Sequence, residues 1–186
     1  MPMEVDLEQI LRDKNLKDKV VVAIDGKCGS GKTTLAEELK NKFDLSVVHM
    51  DDFYLPFQKR SKNWMNEIGG HMDFDRLIES VLVPYKNHKE TDYISYDCHN
   101  DKYLQKIDID LDKPLVIEGA YSCYPKIVSF VDYKIYIDID DDRQYERLKN
   151  RNAKAVDKFL SMWIPFENKY FDTFKIKENA DLLINL

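Results

Sequence analysis

The chain has 186 residues, 44% of them hydrophobic, which is enough for one domain with a substantial core. A net charge of −6 argues against nucleic acid or an acidic membrane surface as a general partner. No apolar stretch approaches the roughly 18–20 residues needed to span a bilayer; the opening MPMEVDLEQILRDKN is too charged for a secretory signal, and three cysteines without metal-type spacing (Cys28, Cys98, Cys123) point to a reducing, cytoplasmic setting.

In chain order, Glu4 to Asn15 reads as a short amphipathic helix with Val5, Leu7, Ile10 and Leu11 inward. Val20 to Ile24 is an unbroken apolar run, the pattern of a strand buried on both faces. Gly26-Lys27-Cys28-Gly29-Ser30-Gly31-Lys32-Thr33 then fits G-x-x-x-x-G-K-[ST], and Thr33 to Phe43 has helical character. Glycines let successive N–H groups of Gly26, Cys28, Gly29, Ser30 and Gly31 converge on a phosphate, and the helix N-terminus at Lys32, Thr33 and Thr34 adds its dipole. Lys32 can reach the β- and γ-phosphates, and the Thr33 hydroxyl suits Mg²⁺. A match at these eight positions arises by chance in on the order of one chain in 150 of this length. With the flanking strand and helix correct, a ligand-free glycine turn is set aside: the motif predicts a nucleoside triphosphate site. Cys28 lies inside that loop, so its oxidation would be expected to inhibit.

Leu45 to Met50 is a second strand, ending in Asp51-Asp52-Phe53-Tyr54. Acids at a strand's C-terminal end sit where open α/β sheets place ligands. Successive residues point oppositely, so one acid faces the phosphates as base or metal-shell carboxylate, and the other caps or meets solvent. Asn41-Lys42-Phe43-Asp44 spells a guanine-reading N-K-x-D but lies one helix after the phosphate loop, too early to serve. Gln58 to Gly70 is polar and without periodicity. A helix over Asp73 to Leu82 follows, with Asp73 as its N-cap. Tyr93 to Asp97 and Lys106 to Leu111 alternate and predict a β-hairpin within about 92–112. Pro114 to Gly119 is a third apolar strand, and its Glu118 can join Thr33 at Mg²⁺. Tyr133 to Asp138 is a fourth strand. Arg143, Arg147 and Arg151 then recur at i, i+4 and i+8 on one helix face, the type of group that stabilises a moving phosphoryl. They predict a lid over about 143–156. A helix over Val156 to Phe171 bent at Pro165, and a terminal strand over Leu182 to Leu186, close the chain.

Taken together, the phosphate loop, the Asp-Asp-Phe-Tyr after the next strand and the Glu-Gly after a third resemble the uridine kinase-like branch of P-loop kinases, whose relatives include phosphoribulokinase and bacterial pantothenate kinase. The resemblance covers roughly Val20 to Arg151 plus the terminal strand. It implies a single α/β P-loop NTPase domain over residues 1–186: three α/β/α layers, a five-stranded parallel sheet, a small β-hairpin and an arginine-bearing lid. It also implies an ATP- and Mg²⁺-dependent phosphotransferase with Asp51 as base on the acceptor hydroxyl and Tyr54 beside it. Tyr96 and His99 would contact a nucleobase, Lys32, Arg147 and Arg151 would serve the transferred phosphate, and Arg143 the nucleotide. Metal positions fall to Thr33, Asp51 and Glu118. The first expected acceptor is the 5′-hydroxyl of uridine, cytidine or a related nucleoside. Gly69 to Asp75 reads GGHMDFD where uridine kinases carry an F-D-H-P-D-type signature, and the E-R-G-R lid sequence is absent. A pantothenate- or sugar-like acceptor therefore stays open, as does an ATP-binding regulator without catalysis. Relatives of this branch often assemble, so a homo-oligomer is a further expectation.

Overall fold

The computed structural model describes residues 19–186; the helix expected over Glu4 to Asn15 lies outside the described residues. Strand β1 (Val21–Gly26) is buried along its whole length, as an apolar run inside a parallel sheet should be. The other strands are β2 (Ser46–His49), β3 (Thr91–Asp97), β4 (Lys102–Ile109), β5 (Leu115–Glu118), β6 (Tyr133–Asp138) and β7 (Leu182–Asn185). Five of them form one parallel sheet in the order β2-β5-β1-β6-β7, and β3 pairs antiparallel with β4. Parallel pairing puts the C-terminal ends of β1, β2, β5 and β6 on one edge, where such sheets bind ligands.

Alternation along β1 sorts the core into two layers. Val22 and Ile24 pack with Leu35, Ala36 and Leu39 of helix α1 (Lys32–Phe43), while Val21 and Ala23 pack with Leu77, Val81, Tyr170 and Phe171 on the opposite face. That second face is covered by helix α2 over residues 74–86 and helix α4 over residues 156–174; helix α3 (Asp141–Asn152) contacts the loop that follows β1. The α/β/α layering and the five parallel strands are those expected from the sequence.

The sequence predicts an end to α2 at Leu82, just before Pro84. The helix instead continues to Lys86 by widening into a π segment, Ile78–Leu82. The same device recurs in α4, where the π segment Phe159–Trp163 precedes Pro165. A proline N–H is missing and its ring crowds the carbonyl four residues back. That carbonyl belongs to Ser80 in one helix and Ser161 in the other, and each serine lies in the widened turn. Each hydroxyl donates to a carbonyl one turn earlier, Ser80 to Arg76 at 2.6 Å and Ser161 to Asp157 at 2.7 Å, which helps satisfy carbonyls that the irregular turn leaves short of donors. Pro165 therefore marks a π segment, where a simple bend was expected. In the hairpin, β4 begins at Lys102, four residues before the predicted start at Lys106, because Tyr103 pairs across the strands with Tyr96. Among the described residues no helix is long and apolar enough to cross a membrane.

Candidate active site at the sheet edge

Leaving β1, the chain turns through the glycine loop and enters α1. Gly26, at φ 140°, cannot be replaced without collision: a Cβ there would stand 2.2 Å from the Ile137 carbonyl oxygen. The loop carbonyls are taken. Lys32 Nζ donates to Gly26 O at 2.8 Å and Lys27 O at 2.9 Å, and Arg147 Nη1 donates to Gly29 O and Ser30 O, both at 3.3 Å. Gln144 Nε2 donates to Cys28 O at 2.8 Å, so one face of α3 is docked on the loop. At its root the loop is pinned by Asp25, which is fully buried and accepts from Gly26 N, Cys123 N and the Tyr170 hydroxyl. Burial holds its carboxyl above the usual range, against the pull of those three donors.

Thr33 is exposed and donates to Glu118 Oε1 at 3.2 Å across the β1–β5 edge. His49, paired with Glu118 in the register of β2 and β5, places Nδ1 2.6 Å from the same oxygen. This hydrogen bond raises the His49 pKa, opposed by partial burial. Gly119 follows at φ 131°, and a Cβ there would lie 2.7 Å from Met50 Cβ. Glycine after the acid is what lets β2 and β5 close at this point.

The two adjacent acids diverge, although not by the strand alternation expected from the sequence: β2 ends at His49, and both lie in a 3-10 turn, Met50–Phe53. Asp52 accepts from the Tyr93 hydroxyl of the hairpin at 2.8 Å, while Asp51 accepts from the Tyr54 hydroxyl at 3.3 Å. Asp51 is open to solvent. Protein crowding raises its pKa, Glu118 adds to the rise, and Lys32 opposes it. Thr33 and Glu118 are in contact, and Asp51 lies within the field of Glu118; their donors are all oxygens, the type that suits Mg²⁺, which takes one or two carboxylates and completes its shell with water and phosphate oxygens.

Beside Asp51, the Tyr54 ring faces His71 at 5.5 Å and Trp163 at 6.3 Å, and His71 also meets Trp64, Tyr121 and Phe166 at 5.2–6.3 Å. Burial, with Arg60 nearby, pushes the His71 pKa down to about 3, so it is a neutral member of an aromatic wall. An open groove of about 450 Å³ is lined by Lys27, Asp138, Ile139, Asp140, Asp141 and Leu186.

Several expected residues have contacts of their own. Tyr96 is 3% exposed, its ring on Tyr103 and its hydroxyl donating to Asp101. His99 is exposed in the hairpin turn. Arg143 pairs with Asp140 at 3.3 Å, and the Arg151 guanidinium lies 5.8 Å from the Phe159 ring, whereas Arg147 is hydrogen-bonded to the loop. Thr34 is exposed beside Thr33. Burial, reinforced by Glu167, pushes the Cys28 thiol up to about 12. It stays protonated at neutral pH, which removes the chemical basis for facile oxidation there.

Glu167, from the first turn of the last stretch of α4, was absent from the sequence expectations. Its Oε2 accepts from Cys28 N at 2.8 Å, inside the phosphate loop. One signal marks it in the sequence: it lies on the stripe of Trp163, Tyr170, Phe171 and Phe174, a charge where the helix is otherwise apolar.

Residues 21–158 match the family described as phosphoribulokinase / uridine kinase. The chain is 28% identical to a uridine kinase from Clostridium botulinum (strain Langeland), over 91% of this chain and 89% of the relative. It is 25% identical to uridine-cytidine kinase B of Dictyostelium discoideum, over 90% and 75% of the two. Its fold is that of a solved structure described as a possible uridine kinase from Bacillus stearothermophilus, with a TM-score of 0.74, 24% identity and coverage of 97% and 96%. A match across most of the chain, carried on a phosphate loop with an acid at the end of each neighbouring strand, means that this chain belongs to the phosphoribulokinase / uridine kinase family.

Proposed function

We propose that this chain is an ATP- and Mg²⁺-dependent kinase of a small hydroxyl compound, with a nucleoside 5′-hydroxyl as first candidate. The observation that carries the reading is the convergence of the phosphate loop, Thr33–Glu118 and Asp51 on one sheet edge. The loop amides and Lys32 bind and orient the nucleotide phosphates. Thr33 and Glu118, with Asp51 nearby, hold Mg²⁺, which when bound neutralises charge developing on the phosphate oxygens. Asp51 positions the acceptor hydroxyl and accepts its proton, a role helped by the raised pKa that brings it nearer neutrality. Arg147 reaches the same loop from α3. The aromatic wall of Tyr54, His71 and Trp163 supports an acceptor with a flat or apolar portion. Three unpaired cysteines agree with a cytoplasmic location.

A second acceptor class is favoured by one observation. The Tyr96 hydroxyl is held by Asp101 and His99 stands in the exposed turn, so the expected nucleobase contacts are not presented together. The test is ADP release from Mg·ATP against a panel of nucleosides, pantothenate and small sugars. Stimulation by uridine or cytidine alone supports the nucleoside acceptor; stimulation by another hydroxyl compound keeps the roles of Asp51 and the loop and replaces the acceptor. ATP binding without stimulated turnover across the panel would overturn the kinase reading in favour of a regulator.

A further inference from the structure

The carboxylate of Glu167 occupies a place that the loop chemistry reserves for an anion. It is 8% exposed, it is supplied by the far end of the chain, and it takes the Cys28 N–H at 2.8 Å within the turn whose amides are built to hold phosphate. Lys32, the loop's own cation, acts on it favourably from α1. The remaining neighbours do not help: Asp25 at the end of β1 opposes its charge, and the facing Tyr54, Tyr121, Tyr136 and Cys28 side chains are all held in their neutral forms. Bringing a nucleotide's phosphates into the loop adds further negative charge beside a carboxylate that has no water to retreat into.

We propose that Glu167 is an internal stand-in for phosphate and that nucleotide binding at the loop is coupled to uptake of a proton by its carboxylate. The proposal rests on the reading of the loop as an ATP site. Protonation removes the like-charge conflict while leaving an oxygen that still accepts the Cys28 N–H. The step balances simply: one proton passes from solvent to a Glu167 oxygen as the nucleotide enters, and returns when it leaves. The unliganded carboxyl is poised for this, because burial lifts its pKa to about 7.

Binding of Mg·ATP to the full chain, measured by calorimetry without acceptor at pH 6, 7 and 8 in two buffers of different ionisation enthalpy, tests this. Proton uptake should approach one per site at pH 8, and apparent affinity should weaken about tenfold from pH 6 to pH 8. Glu167→Gln should bind with little pH dependence and should be the tighter binder at pH 8. Subtracting the variant's uptake removes protons exchanged at His49, Asp51 or the nucleotide. The wild-type uptake alone keeps the idea testable should the variant fold poorly: no uptake at pH 8 overturns it. Binding of equal strength and equal proton count in both proteins would overturn the role of Glu167 and leave the ATP site standing. Absence of Mg·ATP binding to the wild type at every pH would overturn both.

Discussion

Asp51 and Asp52 are neighbours in sequence and opposites in environment. The 3-10 turn after β2 hands Asp52 to Tyr93 and leaves Asp51 beside Tyr54 and within the field of Glu118. Asp51→Asn should therefore lower kcat by about 10²–10⁴-fold while ATP affinity stays near wild type, read by turnover and calorimetry on the same preparation. The arginines of α3 divide in the same way. Arg147→Ala removes two charge-assisted contacts to the loop and should cost on the order of tenfold to a hundredfold in kcat/KM for ATP. Arg143→Ala, whose guanidinium is tied to Asp140, should have little effect; equal losses in the two variants would mean that the helix and not the contact matters. Lys32 and Thr33 were legible in the sequence because a short motif carries its own geometry, and Glu118 because it is the acid that ends an apolar strand. His49 and Gln144 were not, since their roles come from strand register and from a helix more than a hundred residues away from the loop.

At the level of elements, α4 is more than a cover for the sheet. It carries Glu167 to the loop amide and Tyr170 to Asp25, so the phosphate loop is fastened at two points by one helix. Tyr170→Phe would leave a buried carboxylate with one donor fewer and should cost about 1–3 kcal/mol in denaturant unfolding. The predicted strands were found within one or two residues of their expected ends, except β4, because apolar runs in a parallel sheet report burial directly. The helices were harder to delimit. A proline reads as a stop, yet both Pro84 and Pro165 are absorbed by a π segment with a back-bonding serine. The pairing of Tyr96 with Tyr103 was not legible for a related reason: an aromatic in a hairpin looks the same in sequence whether it faces a ligand or a cross-strand tyrosine.

For the molecule as a whole, the raised carboxyls set a pH dependence. Glu167 moves from the model-compound value of 4.5 to about 7 on folding. The folded state therefore holds its proton more tightly than the unfolded chain. Its contribution favours folding most below pH 4.5 and is lost as pH rises through about 7, by on the order of 3 kcal/mol in all. Asp25 and Asp51 shift in the same direction. Urea unfolding of the unliganded protein at pH 5 and pH 8 should show a smaller pH 8 deficit for Glu167→Gln than for wild type. Equal deficits would mean that the Glu167 shift is not what the burial implies.

The sheet order has a consequence for synthesis. Strand β1 is central, and both of its partners, β5 and β6, come from residues 115–138. The most apolar strand in the chain thus emerges from the ribosome with neither neighbour yet made. At roughly 5–20 residues per second, the run from Gly26 to Leu115 leaves Val21–Ile24 unpaired for several seconds, up to roughly 20 s. Throughout that interval the nascent chain offers a hydrophobic strand with two open edges, and shielding by a chaperone would have its greatest value before residue 138 is clear of the exit tunnel.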